Sequence, residues 1–131
     1  MKSARNAALL SICLGLALQG CALLAAGAGG AAIGAGAVAY REGKLETTYP
    51  ATLDKTWEAA LASLQSLQIP LESTRKDNTG GEIRARRPDE TPVTLELETA
   101  GPETTRATIR VGLLGDEAVS REISREISSK L

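Results

Sequence analysis

Three segments in the second half of the chain alternate apolar and polar residues, and this pattern constrains the fold more than any other feature. The segments are residues 82–87, 93–98 and 106–111. Successive side chains of a strand point to opposite faces, so each segment predicts a strand with one buried and one solvated face. An antiparallel meander accommodates three such strands, with inward side chains at Ile83, Ala85, Val93, Leu95, Leu97, Ala107, Ile109 and Val111.

The opposite face of this predicted meander is charged. Arginines lie on its first and third strands and glutamates on its middle strand, namely Arg84, Arg86, Glu96, Glu98, Arg106 and Arg110. Opposite charges on neighbouring strands attract each other, so we expect cross-strand ion pairs. Such a face is typical of a solvated sheet surface rather than of a binding site.

Two other segments follow the helical period. In residues 52–68 the apolar stripe includes Trp57, an expected core anchor, and Thr52 is a suitable N-cap. Residues 115–131 include Asp116, a second suitable N-cap, and place an apolar side chain at every fourth position from Val119 to Leu131. Gly112 and Gly115 bracket the turn into this helix, and we expect Leu113 and Leu114 to seal the edge of the core.

Residues 44–49 and 69–76 complete the predicted strands and give the order β-α-β-β-β-β-α. The sequence therefore predicts an α+β fold, in which an antiparallel sheet of about four to five strands packs two helices on one face. Residues 40–131 are long enough for one compact domain with a single core.

The N-terminus has the layout of a bacterial lipoprotein signal peptide. Lys2 and Arg5 precede an apolar run at residues 7–17, which is too short to cross a bilayer, and Leu-Gln-Gly-Cys follows at residues 18–21. This lipobox predicts removal of residues 1–20 and lipidation of Cys21. The alternative, cleavage after Ala39, would require an unusually long apolar region.

Lipidation of Cys21 would place diacylglycerol on its sulfur and an acyl chain such as palmitate on the new N-terminus. Two chains already hold a protein stably on a membrane. Ala22, rather than Asp, follows the cysteine, which favours sorting to the outer membrane in a Gram-negative host. We therefore expect a lipid-anchored protein of the cell outer membrane, with its domain facing the periplasm.

Residues 21–39 consist of this cysteine and an uncharged tract rich in alanine and glycine. The tract has two interpretations. It is either a flexible tether, because glycine orders at a high entropic cost, or a membrane-associated segment. The second interpretation follows from the small residues Ala22, Ala26, Gly30 and Gly34, which repeat at the spacing of a glycine zipper.

The composition offers little chemistry. The chain has no histidine, and of its two cysteines Cys13 leaves with the signal peptide while Cys21 carries lipid. We therefore predict no catalytic residue, metal site or cofactor, and no enzyme. The mature chain keeps all sixteen acidic residues but loses Lys2 and Arg5, so its net charge is −3. That charge argues against nucleic acid as a partner.

Two motifs carry a family resemblance. They are Tyr-Pro-Ala-Thr-Leu-Asp-Lys-Thr-Trp at residues 49–57 and Ile-Arg-Val-Gly-Leu-Leu-Gly-Asp-Glu-Ala-Val-Ser at residues 109–120. Together with the lipobox and the Ala/Gly tract, they resemble a family of small bacterial lipoproteins of unknown function. The resemblance implies an envelope lipoprotein with a compact α+β domain, and it transfers no site except the lipidated Cys21.

Three functions remain open. The leading hypothesis is a non-enzymatic structural or protein-interaction module that contacts an envelope protein from its membrane anchor. The alternative is a membrane-active or oligomerising protein that uses residues 22–39. A weaker alternative is a binder of small apolar ligands between the helices and the sheet.

Overall fold

The computed structural model describes residues 38–131, which form six strands and two helices. The strands are β1 (Ala39–Arg41), β2 (Lys44–Tyr49), β3 (Leu71–Lys76), β4 (Gly80–Arg86), β5 (Pro92–Gly101) and β6 (Thr104–Val111). The helices are α1 (Leu53–Ser66) and α2 (Glu117–Ser129). The predicted signal peptide, Cys21 and the Ala/Gly tract as far as residue 37 lie outside the described residues.

All six strands join one antiparallel sheet in the order β1-β2-β6-β5-β4-β3. Both helices pack against this sheet and against each other. The predicted α+β fold is confirmed. The additional strand is β1, which is too short to show alternation and pairs with β2 through the two-residue turn Glu42–Gly43. Both turn residues have a positive φ, as tight hairpins require.

The core lies between the helices and the inward face of the sheet. Every inward side chain predicted on the three alternating segments is buried. Trp57 is 9% exposed and belongs to the same core cluster, so its predicted role as a core anchor is confirmed. No helix within residues 38–131 is both long and apolar enough to cross a membrane.

Both predicted N-caps are confirmed. The Thr52 side chain accepts a hydrogen bond from the Lys55 amide at 3.4 Å, and the Asp116 carboxylate accepts one from the Val119 amide at 3.0 Å. These bonds satisfy amide groups that a helix start leaves without partners, which is why the helices begin at Leu53 and Glu117.

The expected ion pairs among β4, β5 and β6 are absent from the described part of the chain, so that prediction is wrong. The register explains this for Arg84, which lies opposite Thr94, whereas Arg106 does lie opposite Glu98 without forming an ion pair. Arg84 Nε pairs with Glu82 of its own strand at 2.7 Å. Arg86 Nε pairs with Glu72 on β3 at 2.5 Å.

The prediction that Leu113 and Leu114 seal the edge of the core is also wrong. Their exposed fractions are 82% and 93%. The flanking glycines do form the predicted turn, with φ of 74° at Gly112 and 87° at Gly115. The turn leaves the sheet after Val111, the last inward side chain of β6, and directs both leucines away from the core.

Candidate functional site

Cys21, the one site residue predicted from the sequence, lies outside the described residues. Between residues 38 and 131, no group of three or more His, Cys, Asp or Glu side chains is placed to hold a metal ion. The carboxylates of Asp89 and Asp116 serve local structure. Hydrogen bonds from the Thr91 side chain and from the Thr91 amide, which lies 3.0 Å from the carboxylate, lower the pKa of the Asp89 carboxyl group.

An apolar concave surface of the described domain lies between α1 and the start of β3. It encloses about 600 Å³. We call this surface the α1–β3 groove and define it by the residues that line it, namely Leu61, Ala62, Gln65, Gln68, Ile69, Pro70 and Leu71. Leu71 is 49% exposed, although it is a large apolar residue. The groove therefore offers apolar contact area with two side-chain amides as its polar groups.

The groove exists because α1 does not cover the edge of the sheet. The helix packs over β5 and β6 in the middle of the sheet, whereas β3 forms its edge. Every residue of β3 is exposed. Among the strands of residues 38–131, β3 pairs only with β4, so its other side presents backbone amides and carbonyls that no described strand binds.

A β-bulge directs Leu71 into the groove. The register shifts between Leu71 and Ser73, so that Leu71 lies opposite Ala85 and Thr74 lies opposite Ile83. Both partners face the core, which places Leu71 and Thr74 on the helix side of β3. A regular strand cannot bring residues three positions apart to one face, whereas a bulge can re-aim a side chain in this way.

The turn between α1 and β3 forms one wall of the groove. The Gln68 amide donates to the Gln65 carbonyl at 3.0 Å, and the Ile69 amide donates to the Leu64 carbonyl at 2.9 Å. This is a Schellman motif, in which a left-handed residue ends the helix. Gln68 occupies that position with φ of 55°, where glycine is usual. Gln68 thus lines the groove from a strained backbone position.

The other end of β3 is tied to α1. Lys76 Nζ forms an ion pair with Asp54 in the first turn of the helix. The same ammonium group lies 5.7 Å from the centre of the Trp57 ring. Side-chain contacts thus join helix and strand at the Lys76 end, whereas the groove lies at the Leu71 end.

The groove is not evident from the sequence pattern. Residues 69–76 were predicted as one regular strand, and regular alternation contains no bulge. A signal was nevertheless present. Leu71 is followed by the polar residues Glu-Ser-Thr-Arg-Lys, and a strand with a single apolar side chain is typical of a sheet edge.

A comparison with known families matches residues 4–130 to one described as "Protein of unknown function (DUF3568)". The match covers nearly the whole chain and includes the two motifs on which the family resemblance was based. A comparison with curated proteins finds no match.

Proposed function

The chain belongs to this family of proteins of unknown function, and from that premise we propose that it is a lipid-anchored protein of the bacterial envelope that binds a protein partner. The lipobox at residues 18–21 supports the anchor, with the lipid on Cys21. Ala22 supports sorting to the outer membrane, with the domain in the periplasm. The domain acts by binding, and catalysis is not part of the proposal.

The α1–β3 groove is the observation that carries the binding role. Its volume of about 600 Å³ is comparable to that of known binding sites, about 300–1,000 Å³. The adjacent strand β3 is exposed along its whole length and has one free edge. A site of this kind suits an extended segment of a partner protein. That segment adds to β3 through backbone hydrogen bonds and places an apolar side chain beside Leu71.

Photo-crosslinking in living cells tests the partner. A benzophenone amino acid replaces Ala62 or Leu71 in the groove, or, as the matched control, Glu122 on α2; all three positions are exposed. The proposal expects one discrete protein adduct from positions 62 and 71 and none from position 122. Leu71→Arg should abolish the adduct formed from position 62. Equal adducts from all three positions would refute the groove as the binding surface.

Palmitate labelling tests the anchor independently. Radiolabelled palmitate should enter the wild-type protein, and Cys21→Ala should remove the label and release the protein from membranes. If Cys21→Ala retains the label, Cys21 is not the site of lipidation. This outcome leaves the groove experiment interpretable, because binding at Leu71 does not require the lipid itself.

A small apolar ligand is the second candidate for the same groove, since five of its seven lining residues are apolar. Native mass spectrometry of the purified chain distinguishes the two candidates. A bound small molecule that Leu71→Arg releases would favour the ligand over the protein segment.

A further inference from the structure

The loop formed by residues 112–115, which we call the leucine loop, exposes two large apolar side chains side by side. Leu113 is 82% exposed and Leu114 is 93% exposed. The other exposed large apolar residues of the described domain, Val38, Leu71 and Leu131, lie between 42% and 49%. Isolated surface leucines are common, but an adjacent pair at the tip of a loop is typical of a binding surface.

The backbone of the leucine loop is held in place on both sides. The Gly112 amide donates to the Pro92 carbonyl at 2.8 Å, and the Arg110 guanidinium donates to the Leu113 carbonyl. On the helix side, Asp116 caps α2. The two leucines are therefore presented by an ordered loop, so little conformational entropy remains to be lost when they bind.

The β1–β2 turn packs directly against the leucine loop. A Cβ atom on Gly43 would lie 2.5 Å from the Leu114 carbonyl oxygen, and one on Gly115 would lie 2.3 Å from Gly43 Cα. Such distances permit only glycine. The loop consequently lies beside the first hairpin of the described domain, which follows the Ala/Gly tract in the chain.

Basic side chains lie near the leucine loop. The register places Arg41 opposite Lys44 and Lys44 opposite Arg110, so three basic residues form a row at this end of the sheet. The acidic residues nearby in the chain are Glu42 and Glu46, which are exposed, Asp116, which caps α2, and Glu117, which pairs with Arg121. An apolar tip beside basic residues matches a bilayer that contains anionic headgroups.

We infer that the leucine loop docks on the surface of an anionic lipid bilayer, with Leu113 and Leu114 inserted among the headgroups. The inference rests on the proposed anchor at Cys21. Cys21 precedes Val38 by 17 residues, and a chain of that length spans at most about 60 Å. The anchor thus holds the domain near the membrane at a high effective concentration, so a weak contact is sufficient.

The experiment uses the full mature lipoprotein in vesicles of phosphatidylethanolamine and phosphatidylglycerol. Once lipid occupies Cys21, an introduced cysteine is the only free thiol. An environment-sensitive fluorophore is attached at Glu42→Cys, beside the leucine loop, or at Ser129→Cys, at the opposite end of α2, as the control. At position 42 we expect a blue shift, a several-fold rise in fluorescence and quenching by lipids labelled near the headgroup. Leu113→Asn with Leu114→Asn should abolish all three changes, and position 129 should show none.

Each other outcome is decisive. If the protein does not float with the vesicles and its Cys21 reacts with the fluorophore, both the anchor and the inference are refuted. Protein that floats while the fluorophore at position 42 responds as it does in water refutes the inference alone. A blue shift that is not quenched by labelled lipid, and that increases with the protein-to-lipid ratio, would show that the loop binds a second protein copy. That result would also overturn lipid docking.

Discussion

The Tyr49 hydroxyl and the Ser124 side chain join β2 to α2 inside the core. Their oxygen atoms lie 3.0 Å apart, and the Tyr49 hydroxyl also lies 3.3 Å from the Ser124 carbonyl, to which it can donate. The exposed fractions are 3% for Tyr49 and 6% for Ser124. A buried polar pair of this kind is costly to disturb, because a partner left alone cannot bond to water instead.

Removing one member of this pair should destabilise the domain. Tyr49→Phe keeps the ring but leaves the Ser124 hydroxyl without this partner, so we expect the free energy of unfolding to fall by about 1–2 kcal/mol. Urea denaturation measures the change. In the double variant Tyr49→Phe/Ser124→Ala the loss should be smaller than the sum of the two single losses. Strict additivity would contradict a coupling between the two side chains.

The same tyrosine should make stability depend on alkaline pH. Burial raises the pKa of Tyr49 from 10.0 to about 12, against a smaller opposing effect of the hydrogen bond to Ser124. The neutral form is therefore favoured in the folded state. Below pH 10 the neutral Tyr49 side chain makes its full contribution to the free energy of unfolding, and this contribution is lost as the pH rises towards 12. Tyr49→Phe removes this component, so the stability difference between wild type and variant should narrow over that interval in urea titrations. A constant difference would contradict the assignment.

Removing the strain of the left-handed backbone at Gln68 should stabilise the domain. Gln68→Gly removes a Cβ atom from a residue with φ of 55°, and we expect a gain of about 0.5–1 kcal/mol in the free energy of unfolding. Gln65→Gly, inside α1, is the matched control and should instead cost about 1 kcal/mol. Thermal denaturation of both variants checks the opposite signs. If the groove binds a partner, Gln68→Gly should also weaken the adduct formed from position 62.

Closing the space at Gly43 should detach the first hairpin. Gly43→Ala places a Cβ atom 2.5 Å from the Leu114 oxygen on a residue with φ of 76°, so we expect a loss of about 1–3 kcal/mol. Gly101→Ala is the control, since its nearest neighbour would lie at 3.6 Å. Limited proteolysis should cut the Gly43 variant near residue 43 faster than either the control or the wild type. Equal cleavage rates would mean that the contact does not hold the hairpin.

The alternative function of the Ala/Gly tract has its own test. Gly30→Leu with Gly34→Leu disrupts the small-residue stripe, so oligomers built on a glycine zipper should disappear from membrane extracts. Crosslinking followed by electrophoresis measures the oligomers. If the extracts of the wild type and the variant show the same oligomers, the zipper interpretation fails and the tether interpretation stands.

The elements that the sequence predicted best have strong periodic patterns. Alternation located β4, β5 and β6 because each residue's side depends only on its position in the strand. The helical period and the two caps located α1 and α2. Features that depend on how two strands pair could not be predicted from the pattern of one strand. The register places Arg84 opposite Thr94, and the bulge that turns Leu71 to the helix side of β3 interrupts the expected alternation.

The prediction for Leu113 and Leu114 was wrong for a different reason. Leu113 and Leu114 are apolar, and apolar side chains are usually expected inside. The glycines that were predicted to form a turn do form it, yet they direct the leucines outward. Leu113 and Leu114 therefore form an exposed surface instead of part of the core.

The position of β6 between β2 and β5 has a consequence for biosynthesis. The first two strands and the β3–β5 meander meet only through this last strand, so the sheet cannot close before residue 111 has left the ribosome. Truncated nascent chains lack the central pairing that the folded domain requires. This order of pairing suits the proposed export, because export machinery could engage the emerging chain before the domain is able to fold.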